Sequence, residues 1–376
     1  MNILHINSNY LHSPLYSEMI KKLENINVTN DVIMPRKIND NQHVKNNLTI
    51  NNAKIYNSQF LTNMDRFLYF HKQNKIQKWI LNENIKCDSY DLIHAHTLFS
   101  DGYQALKLHK PYVVTVRNTD VNYYLKYFKH LKPTAKKIIN NAKKLIFLSE
   151  SYKEKTLQTI FKQGEERNKN LEKSIVIPNG INDFWINNIN NKNKQITDEI
   201  NVLFVGRVMK NKNIKFLAEN INEVNLNSKV NIYIVGEIIE ESYYNELKKY
   251  ENLKFLGKKT KEEIIQLMQD MHIFTLISHH ETFGLVYLEA ISQNLPVLYT
   301  KGEGFDNYFM DGEVGYAVDI NSNEDLIEKT NKIIKQYDEF QNRLSTINKQ
   351  DFSWEMNAYK HKTIYESLIN KESNIQ

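Results

Sequence analysis

The sequence lacks the features that mark secreted and membrane-spanning proteins. It has 376 residues and a single cysteine, Cys87, so it can form no internal disulfide and fits a reducing compartment. No apolar run approaches the length needed to cross a bilayer. The apolar residues near the start, Ile3, Leu4 and Ile6, are too few for a signal-peptide core and follow no basic segment. We therefore expect a cytoplasmic protein that can bind peripherally to the inner face of the plasma membrane.

Motifs of two other enzyme classes are also missing. No G-x-G-x-x-G follows a predicted strand, which argues against a dinucleotide-dependent enzyme. The chain has no Asp-x-Asp, and its histidine pair His94 and His96 falls in a predicted strand. Taking alternate strand residues to face opposite sides, we expect the two imidazoles not to converge. We therefore expect no catalytic metal and no other cofactor.

The length suggests two domains, and the charge is divided between them. Residues 1–180 contain 27 Lys and Arg against 15 Asp and Glu, a net charge of +12, whereas residues 181–376 contain 22 against 29, a net charge of −7. This asymmetry indicates two units with different partners. Because a Pro-Asn-Gly turn ends at residue 180, we predict a first domain over 1–180, a second over 181–352 and a closing helix over 353–376.

Short β-rich runs alternate with helical periods in both halves. The predicted strands are 2–6, 91–96, 112–116, 144–149, 200–207, 230–237, 253–257, 271–278 and 296–300. The predicted helices include 15–26, 64–84, 261–270 and 354–370. This alternation is typical of α/β proteins with parallel sheets covered on both faces. Ligands of such doubly wound folds bind at the carboxyl ends of the strands, so two facing domains would leave a cleft lined by strand-end loops.

Two carboxylates lie on either side of a predicted helix start in "HHETFGLVYLEA" (279–290). We predict that the helix begins near Gly284, with Glu281 in the preceding loop and Glu289 about one turn inside it. The free N–H groups of Phe283, Gly284 and Leu285 then form an anion site, and the carboxylates can accept hydrogen bonds from hydroxyls. A nucleotide sugar fits this pattern. The alternative is that Glu281 is a solvated loop residue and Glu289 an exposed helix residue.

The same stretch carries a family resemblance. "ETFGLVYLEA" followed by "LPVLYT" resembles the E-x7-E signature of the retaining glycosyltransferases of family 4, which have the GT-B fold. Other blocks agree in order and spacing, among them "VLFVGRVMKNKN" (202–213), "IYIVGE" (232–237), "DLIHAHTLFSDG" (91–102), "PYVVTVRNTDVN" (111–122) and "VIPNGIND" (176–183). The resemblance implies two Rossmann-like domains facing across a cleft. The first would take the acceptor, the second the donor nucleotide, and the last helix would return to the first.

The function implied by the resemblance is retaining, metal-independent transfer of a hexose. The donor would be a nucleotide sugar, with a UDP-sugar favoured. The acceptor would be a glycan or a lipid-linked molecule, in the synthesis of bacterial surface polysaccharide or glycoconjugates. The alternative is a non-catalytic partner or binding subunit that keeps the GT-B scaffold, because a fold does not guarantee a function.

The resemblance also assigns roles in the second half. Arg207 and Lys212 would hold the donor pyrophosphate, as a planar fork and a point charge. Glu289 would accept the ribose hydroxyls, and Glu281 would lie against the transferred sugar. The remaining donor-binding candidates are Gly206, Glu237 (near the base), Phe283, Gly284 and Leu285.

The first half departs from the family pattern at Arg117, where the family often has a histidine near the reacting sugar. Arg117 stays protonated and cannot act as a base, so we expect it either to stabilise the leaving phosphate or to pair with Asp120. Asp120 matches the family's aspartate in that block and is the other catalytic candidate of this half. His96 and Asp101 are the candidates for the acceptor side.

A basic stretch in the first half, residues 123–144, carries seven lysines and no acid. Four aromatic residues precede or interleave with the first of these lysines, and Lys-rich segments with aromatics suit a membrane interface. We therefore predict that an anionic membrane surface binds here, with Pro133 dividing the stretch so that it is not one continuous helix. The alternatives are a solvated basic face or a patch for an anionic glycan. No nucleic-acid-binding module accompanies the charge, so we expect no nucleic acid partner.

Overall fold

The computed structural model describes residues 1–40, 52–196, 199–221 and 229–373. The chain divides into two compact units. Unit 1 comprises residues 1–148 and 152–180 together with the closing segment from Trp354. Unit 2 comprises residues 149–151 and 181–353. Both units are α/β, as the strand–helix alternation predicts.

Unit 1 contains a seven-stranded sheet in which every neighbouring pair is parallel, with the order β3-β2-β1-β4-β5-β6-β7. Its strands are β1 (Asn2–Ile6), β2 (Thr29–Lys37), β3 (Ile55–Leu61), β4 (Leu92–Ala95), β5 (Tyr112–Val116), β6 (Lys144–Phe147) and β7 (Ser174–Val176). The order reverses direction at β1 and β4, so the strand-end loops of β1 and β4 lie where ligands of doubly wound sheets bind.

Helices cover this sheet. In chain order they are α1 (Pro14–Asn25), α2 (Tyr69–Asn82), α3 (Gly102–Lys107), α4 (Leu125–Tyr127), α5 (Lys132–Asn141), α6 (Glu150–Ile160) and α7 (Glu165–Glu172). The last helix of the chain, α15 (Trp354–Ser373), also belongs to unit 1. It buries Trp354, Ala358, Ile364 and Tyr365 in a core with Ile3 and Leu92. The prediction that the closing helix returns to the first half is thus confirmed.

Unit 2 contains a six-stranded, all-parallel sheet with the order β10-β9-β8-β11-β12-β13. Its strands are β8 (Glu199–Val205), β9 (Lys229–Val235), β10 (Leu253–Gly257), β11 (Ile273–Leu276), β12 (Val297–Thr300) and β13 (Gly315–Val318). Its helices are α8 (Asp183–Asn187), α9 (Ile214–Asn220), α10 (Glu241–Leu247), α11 (Lys261–Gln269), α12 (Leu285–Ser292), α13 (Asn323–Lys335) and α14 (Tyr337–Thr346).

The helix predicted over 64–84 is wrong in its first part. Asn63–Arg66 is a 3-10 turn, fixed by a capping box in which the N–H and the hydroxyl of Thr62 both donate to Asp65 Oδ2, at 2.7 and 3.0 Å. Leu68 then has φ −106° and ψ 72°, which are not α-helical angles, and α2 begins only at Tyr69.

Four strands were not predicted from the sequence: β2, β3, β7 and β13. β2 carries Asp31 and Pro35, residues that are depleted in strands.

No helix in the described part of the chain is long and apolar enough to cross a membrane.

Candidate functional site

Two strand-end loops of unit 2 meet at one ion pair. One loop follows β8 and the other follows β11, its neighbour in the sheet. Lys212 Nζ lies 2.7 Å from Glu281 Oε2, and the two side chains are only 13% and 16% exposed. The structure therefore brings together a cation and a carboxylate that the resemblance assigns separately to the donor. Such a partly buried pair holds both groups in one place while leaving each open to a ligand on its exposed side.

Hydrogen bonds on both flanks fix the Glu281 loop. The N–H of His279 donates to the carbonyl of Asn211 at 2.8 Å, and the Asn211 amide donates to the carbonyl of His280 at 3.1 Å. On the other flank the N–H of Glu281 donates to Glu303 Oε2 at 2.7 Å, and the N–H of Gly304 donates to the Glu281 carbonyl at 2.9 Å. The carboxylate of Glu281 is therefore preorganised before any ligand arrives.

The start of α12 offers unbonded donors. Gly284 adopts φ 77°, and a Cβ there would lie 2.5 Å from the ring of Tyr287, so this turn requires glycine. The N–H groups of Phe283, Gly284 and Leu285 donate to none of the described residues. Phe283 itself is buried against Phe305 and Tyr308, with ring centroids 5.5 and 5.0 Å apart. Only the backbone of Phe283 is thus available to a ligand, and the predicted helix start near Gly284 is confirmed.

Arg207 and Glu237 lie after neighbouring strands, β8 and β9, and both side chains are exposed. The glycines before them pack closely: a Cβ on Gly236 would lie 1.8 Å from the carbonyl oxygen of Gly206. Arg207 makes no ion pair or side-chain hydrogen bond within the described ranges. The structure therefore leaves the guanidinium of Arg207 free for an anion.

Glu289 is not the exposed helix residue of the alternative interpretation. Burial raises the pKa of its carboxyl to about 7, an effect that the charge of Lys261 and the indole of Trp185 partly oppose. A carboxyl with this pKa changes charge near neutral pH. Sequence analysis missed Trp185, although a large aromatic residue in the Asn-rich stretch after residue 181 was a signal that could have found it.

In unit 1, Asp120 organises a loop. Its fully buried carboxylate accepts the N–H groups of Leu98 at 2.9 Å, Phe99 at 3.1 Å and Arg117 at 2.9 Å. Burial raises its pKa to about 6 although these hydrogen bonds favour the charged form. Because no surface of Asp120 is exposed, the geometry gives it a positioning role and no direct contact with a ligand.

The side chain of Arg117 does not pair with Asp120, which was one of its two predicted roles. Its Nε donates to the carbonyl of His96 at 3.0 Å, its guanidinium lies 4.7 Å from the ring centroid of Tyr16, and one terminal nitrogen reaches Asn179 Oδ1 at 3.5 Å. Only the backbone of Arg117 bonds Asp120. The cation is thus held by a carbonyl and an aromatic face, neither of which neutralises its charge.

Asp101 is also fully buried. It accepts hydrogen bonds from the N–H of Ser8 at 3.0 Å, the hydroxyl of Ser8 at 2.5 Å and the hydroxyl of Thr97 at 2.9 Å. Burial raises the pKa of Asp101 to about 6. The carboxylate ties the loop after β1 to the loop after β4, so any influence on an acceptor passes through those loops.

The expectation that His94 and His96 diverge is wrong. Residues two apart on a strand share one face, and the two rings stack with centroids 4.1 Å apart. His5 Nδ1 lies 2.9 Å from His96 Nε2, and both nitrogens of His94 lie 2.7 Å from a hydroxyl, of Tyr365 and of Thr115. Burial lowers the pKa of His5, His94 and His96, which favours their neutral forms.

This cluster is the one group in the described part of the chain whose nitrogens are close enough to hold a metal ion. A metal would have to displace the hydroxyls and Asn30, which lies 2.9 Å from His5 Nε2. The donor set present therefore fits a hydrogen-bonded core network better than a metal centre. His96 Nδ1 has no hydrogen-bond partner among the described residues, and its place on the acceptor side stays a prediction.

Comparison with known proteins agrees with this architecture. The family model described as "Glycosyltransferase Family 4" matches residues 18–183, and the one described as "Glycosyl transferases group 1" matches residues 186–351. The two matches together leave out residues 1–17, 184–185 and 352–376.

Three individual proteins illustrate the similarity. An uncharacterized glycosyltransferase of Methanocaldococcus jannaschii is 26% identical over 84% of this chain and 86% of its own length. The alpha-monoglucosyldiacylglycerol synthase of Acholeplasma laidlawii is 27% identical over 75% of this chain and 77% of its own length. The structure of Anabaena HepE in complex with UDP has a TM-score of 0.70 at 18% identity and covers 98% of this chain and 100% of that one. The chain thus belongs to glycosyltransferase family 4 and has the GT-B fold.

Proposed function

We propose that the protein is a retaining, metal-independent glycosyltransferase that moves a hexose from a UDP-sugar to a glycan or lipid-linked acceptor in the synthesis of surface polysaccharide or glycoconjugates. The observation that carries the proposal is the Lys212–Glu281 pair, held at 2.7 Å beside the unbonded N–H groups that begin α12. A diphosphate and a sugar need this combination of cation, amide donors and carboxylate.

The chemistry follows from where charge develops. As the bond between the sugar and the diphosphate breaks, negative charge grows on the leaving phosphate. Fixed donors aimed at that charge lower the barrier, and Lys212, Arg207 and the N–H groups of Phe283, Gly284 and Leu285 supply them. Glu281 accepts hydrogen bonds from hydroxyls of the transferred sugar. We assign no protein nucleophile: in front-face transfer the leaving phosphate takes the proton of the acceptor hydroxyl as the new glycosidic bond forms on the same face.

The choice of donor and acceptor rests on the relatives. HepE, which shares the fold, binds UDP, and the name of the Acholeplasma relative describes a synthase of a glucosylated diacylglycerol. A UDP-sugar donor and a lipid acceptor for this chain extend those two observations.

The direct experiment is a two-step screen. Thermal shift with a set of nucleotides should first show stabilisation by UDP, because a ligand that binds only the folded state raises the melting temperature. Turnover of UDP-sugars should then continue in the presence of EDTA. Stabilisation by UDP without turnover of any sugar nucleotide would favour the non-catalytic binding subunit, and loss of turnover with EDTA that Mn²⁺ or Mg²⁺ restores would contradict the metal-free mechanism.

Glu289→Gln should weaken UDP-sugar binding by a few-fold to tenfold at pH 8, because the amide oxygen of Gln still accepts a hydrogen bond and only part of the about 1.5–3 kcal/mol of a charged hydrogen bond is lost. In the wild type the affinity should rise with pH around the pKa of about 7, since the ionised carboxylate is the better acceptor for ribose hydroxyls. The diphosphate diester of the donor does not titrate in this range. Calorimetry from pH 6 to 8 therefore measures a change in affinity that comes from the protein and not from the donor.

The Gln variant should show a flat pH profile, and Glu339→Gln, at an exposed position of α14, should keep the wild-type profile. An unchanged slope in Glu289→Gln would remove Glu289 from the donor site.

The surface of the basic stretch 123–144 supports the proposal that an anionic membrane binds here. Tyr127 is 64% exposed, and its ring belongs to a contiguous group with Tyr123 and Phe128. The chain is interrupted at 129–131 by a 3-10 turn, so the stretch is not one continuous helix, but Pro133 lies in the first turn of α5 and does not make the break. The exposed lysines are Lys126, Lys129, Lys132, Lys137 and Lys143.

Charge reversal of Lys126, Lys129, Lys132 and Lys137 to Glu should abolish co-sedimentation with anionic vesicles at physiological salt, because each lysine near an anionic surface contributes about 1 kcal/mol. Lys136 is left out because it pairs with Glu166 at 2.6 Å. Wild-type binding should grow with anionic lipid and fall with salt.

The matched control reverses four exposed lysines on other elements of unit 1, namely Lys21, Lys78, Lys86 and Lys360. Equal loss in the control would mean that net charge and not this surface matters. Absence of wild-type binding at every lipid composition would favour a soluble acceptor.

A further inference from the structure

A pocket of about 360 Å³ lies in unit 1, at the carboxyl ends of β1, β2 and β3. Its lining includes Ser8, Asn9 and His12 of the loop after β1, and Ser100 of a block quoted for the family resemblance, but no residue to which the resemblance assigns a role. The side chains that matter are His12, Lys37, Asp40, Asp65, Arg66 and Lys72. The pocket therefore combines the position expected of a ligand site in a parallel sheet with an unassigned group of charges.

The charges in this pocket do not balance. Asp65 is engaged by Lys75, with Nζ to Oδ1 at 3.0 Å, and Asp40 Oδ2 lies 3.3 Å from His12 Nε2. In the described part of the chain, Lys37, Arg66 and Lys72 make no ion pair and no side-chain hydrogen bond. The segment 41–51, which is not described, contains no Asp or Glu. No carboxylate of that segment can therefore complete the pocket.

Lys72 has the most unfavourable surroundings of the three cations. Burial lowers the pKa of its ammonium, and the charge of Lys37 adds to this effect. The more distant charges of Asp101 and Asp65 act in the opposite direction. Lys37 is exposed, but its like charge faces the same pocket and further disfavours the ammonium of Lys72. An anion in the pocket would favour the charged form of Lys72.

The segment that brings Asp65 and Arg66 to this pocket exposes four apolar side chains, which we call the apolar rim. Met64, Phe67, Leu68 and Phe70 are between 49% and 65% exposed, and they belong to the segment that sends Asp65 and Arg66 into the pocket. The guanidinium of Arg66 lies 5.1 Å from the ring centroid of Phe67. Four exposed large apolar side chains on one short segment are uncommon on a soluble surface and mark a binding site.

We propose that this pocket binds the anionic group, a phosphate ester or a carboxylate, of the acceptor, and that the apolar rim contacts a hydrophobic part of the same molecule. The proposal rests on the proposed function in that the bound molecule is taken as the acceptor, and it adds that the acceptor is anionic. Lys72 and Lys37 provide the point charges, and Arg66 provides a planar donor pair at the mouth. The shared chemistry is that of a soluble phosphorylated molecule and of a lipid with an anionic headgroup.

Two soluble probes separate these sources. Calorimetry should compare glycerol 3-phosphate with dihexanoyl phosphatidic acid below its micelle concentration. Both should bind the wild type, and the lipid should bind at least tenfold more tightly because its acyl chains reach the rim. The double variant Phe67→Ser, Leu68→Ser should remove that difference and leave glycerol 3-phosphate binding unchanged. Equal affinities in the wild type would overturn the role of the rim.

The pocket itself is tested with Lys72→Met, which keeps most of the length of the side chain and removes its charge. Binding of both probes should weaken at least tenfold, Lys72→Arg should recover part of it, and Lys78→Met, on an exposed position of the same helix, should change neither. The melting temperature of Lys72→Met without ligand should not fall, because burial disfavours the ammonium that is removed. Measuring it beside the affinity separates loss of binding from unfolding.

Binding of UDP in the same samples distinguishes this proposal from the proposed function. The anion pocket would be overturned, with UDP binding intact, by either of two results. One is that Lys72→Met binds both probes as tightly as the wild type does. The other is that the wild type binds neither probe. Loss of UDP binding or of turnover would concern the proposed function instead.

Discussion

Lys212→Ala should lower the turnover of the UDP-sugar by about 10²–10³-fold, the loss that follows removal of one preorganised donor to a developing charge. Its effect on UDP-sugar affinity should be smaller, below about tenfold, because the phosphate that Lys212 contacts gains charge only as the sugar departs. Steady-state kinetics and calorimetry on the same preparation measure both quantities. The structure supports a large effect because Lys212 is 13% exposed and fixed on Glu281 at 2.7 Å, so no other orientation competes.

The matched control is Lys210→Ala, two residues away in the same 3-10 turn and exposed. It should keep wild-type turnover. Lys212→Ala also leaves the carboxylate of Glu281 without its cation, so its melting temperature must be measured to show that the variant is folded. A folded Lys212→Ala with unchanged turnover would remove the phosphate assignment of this lysine.

Arg117→Ala should leave little activity, with turnover reduced by about 10²-fold, whereas Arg117→Lys should retain part of it. The reason is electrostatic: the guanidinium is held by the His96 carbonyl at 3.0 Å and the Tyr16 ring at 4.7 Å, contacts that orient its charge without cancelling it. A lysine restores the charge but not the planar fork. The ratio of the two variants therefore separates charge from geometry.

Arg167→Ala is the control for this residue, because Arg167 lies in the same unit and pairs with Glu154 at 2.7 Å outside the candidate site. It should keep full turnover. Arg117→Ala with the melting temperature and turnover of the wild type would contradict an electrostatic role of Arg117, and a rise in KM alone, without change in kcat, would place it in binding and not in catalysis.

Patterns that are local in the sequence predicted the structure well. The start of α12 near Gly284 follows from a glycine, a following apolar run and a proline beyond its end, all within a dozen residues. The alternation of strands and helices likewise fixed the fold class, because strand and helix periodicities are written in neighbouring residues.

Contacts between distant residues could not be predicted in this way. Lys212 and Glu281 are 69 positions apart, and only the adjacency of β8 and β11 in the sheet makes them an ion pair. The burial of Asp101 and Asp120 depends on loops that fold over them, so their positions after a strand suggested a direct contact with ligand that the geometry does not give. The absence of an ion-pair partner for Lys72 among the residues that the structure describes depends on residues at the ends of three strands, so it cannot be predicted from the sequence of α2 alone.

Two errors had simple physical causes. His94 and His96 were assigned to opposite faces, although residues two apart on a strand share a face. The prediction of a helix from residue 64 did not account for the capping box of Thr62 and Asp65. That capping box closes a 3-10 turn, after which Leu68 adopts non-helical φ and ψ angles. That break exposes Phe67 and Leu68, and so produces the apolar rim of the pocket in unit 1.

The central claim, retaining transfer without a metal, is tested most directly by the configuration of the first product. Proton NMR of a UDP-sugar turned over in the presence of EDTA, with an acceptor or with water, reports the anomeric configuration of the sugar before it can equilibrate. Retention predicts that the α-linked donor gives an α product at the same rate with and without EDTA. A β product formed first, or no product until a divalent ion is added, would contradict the account.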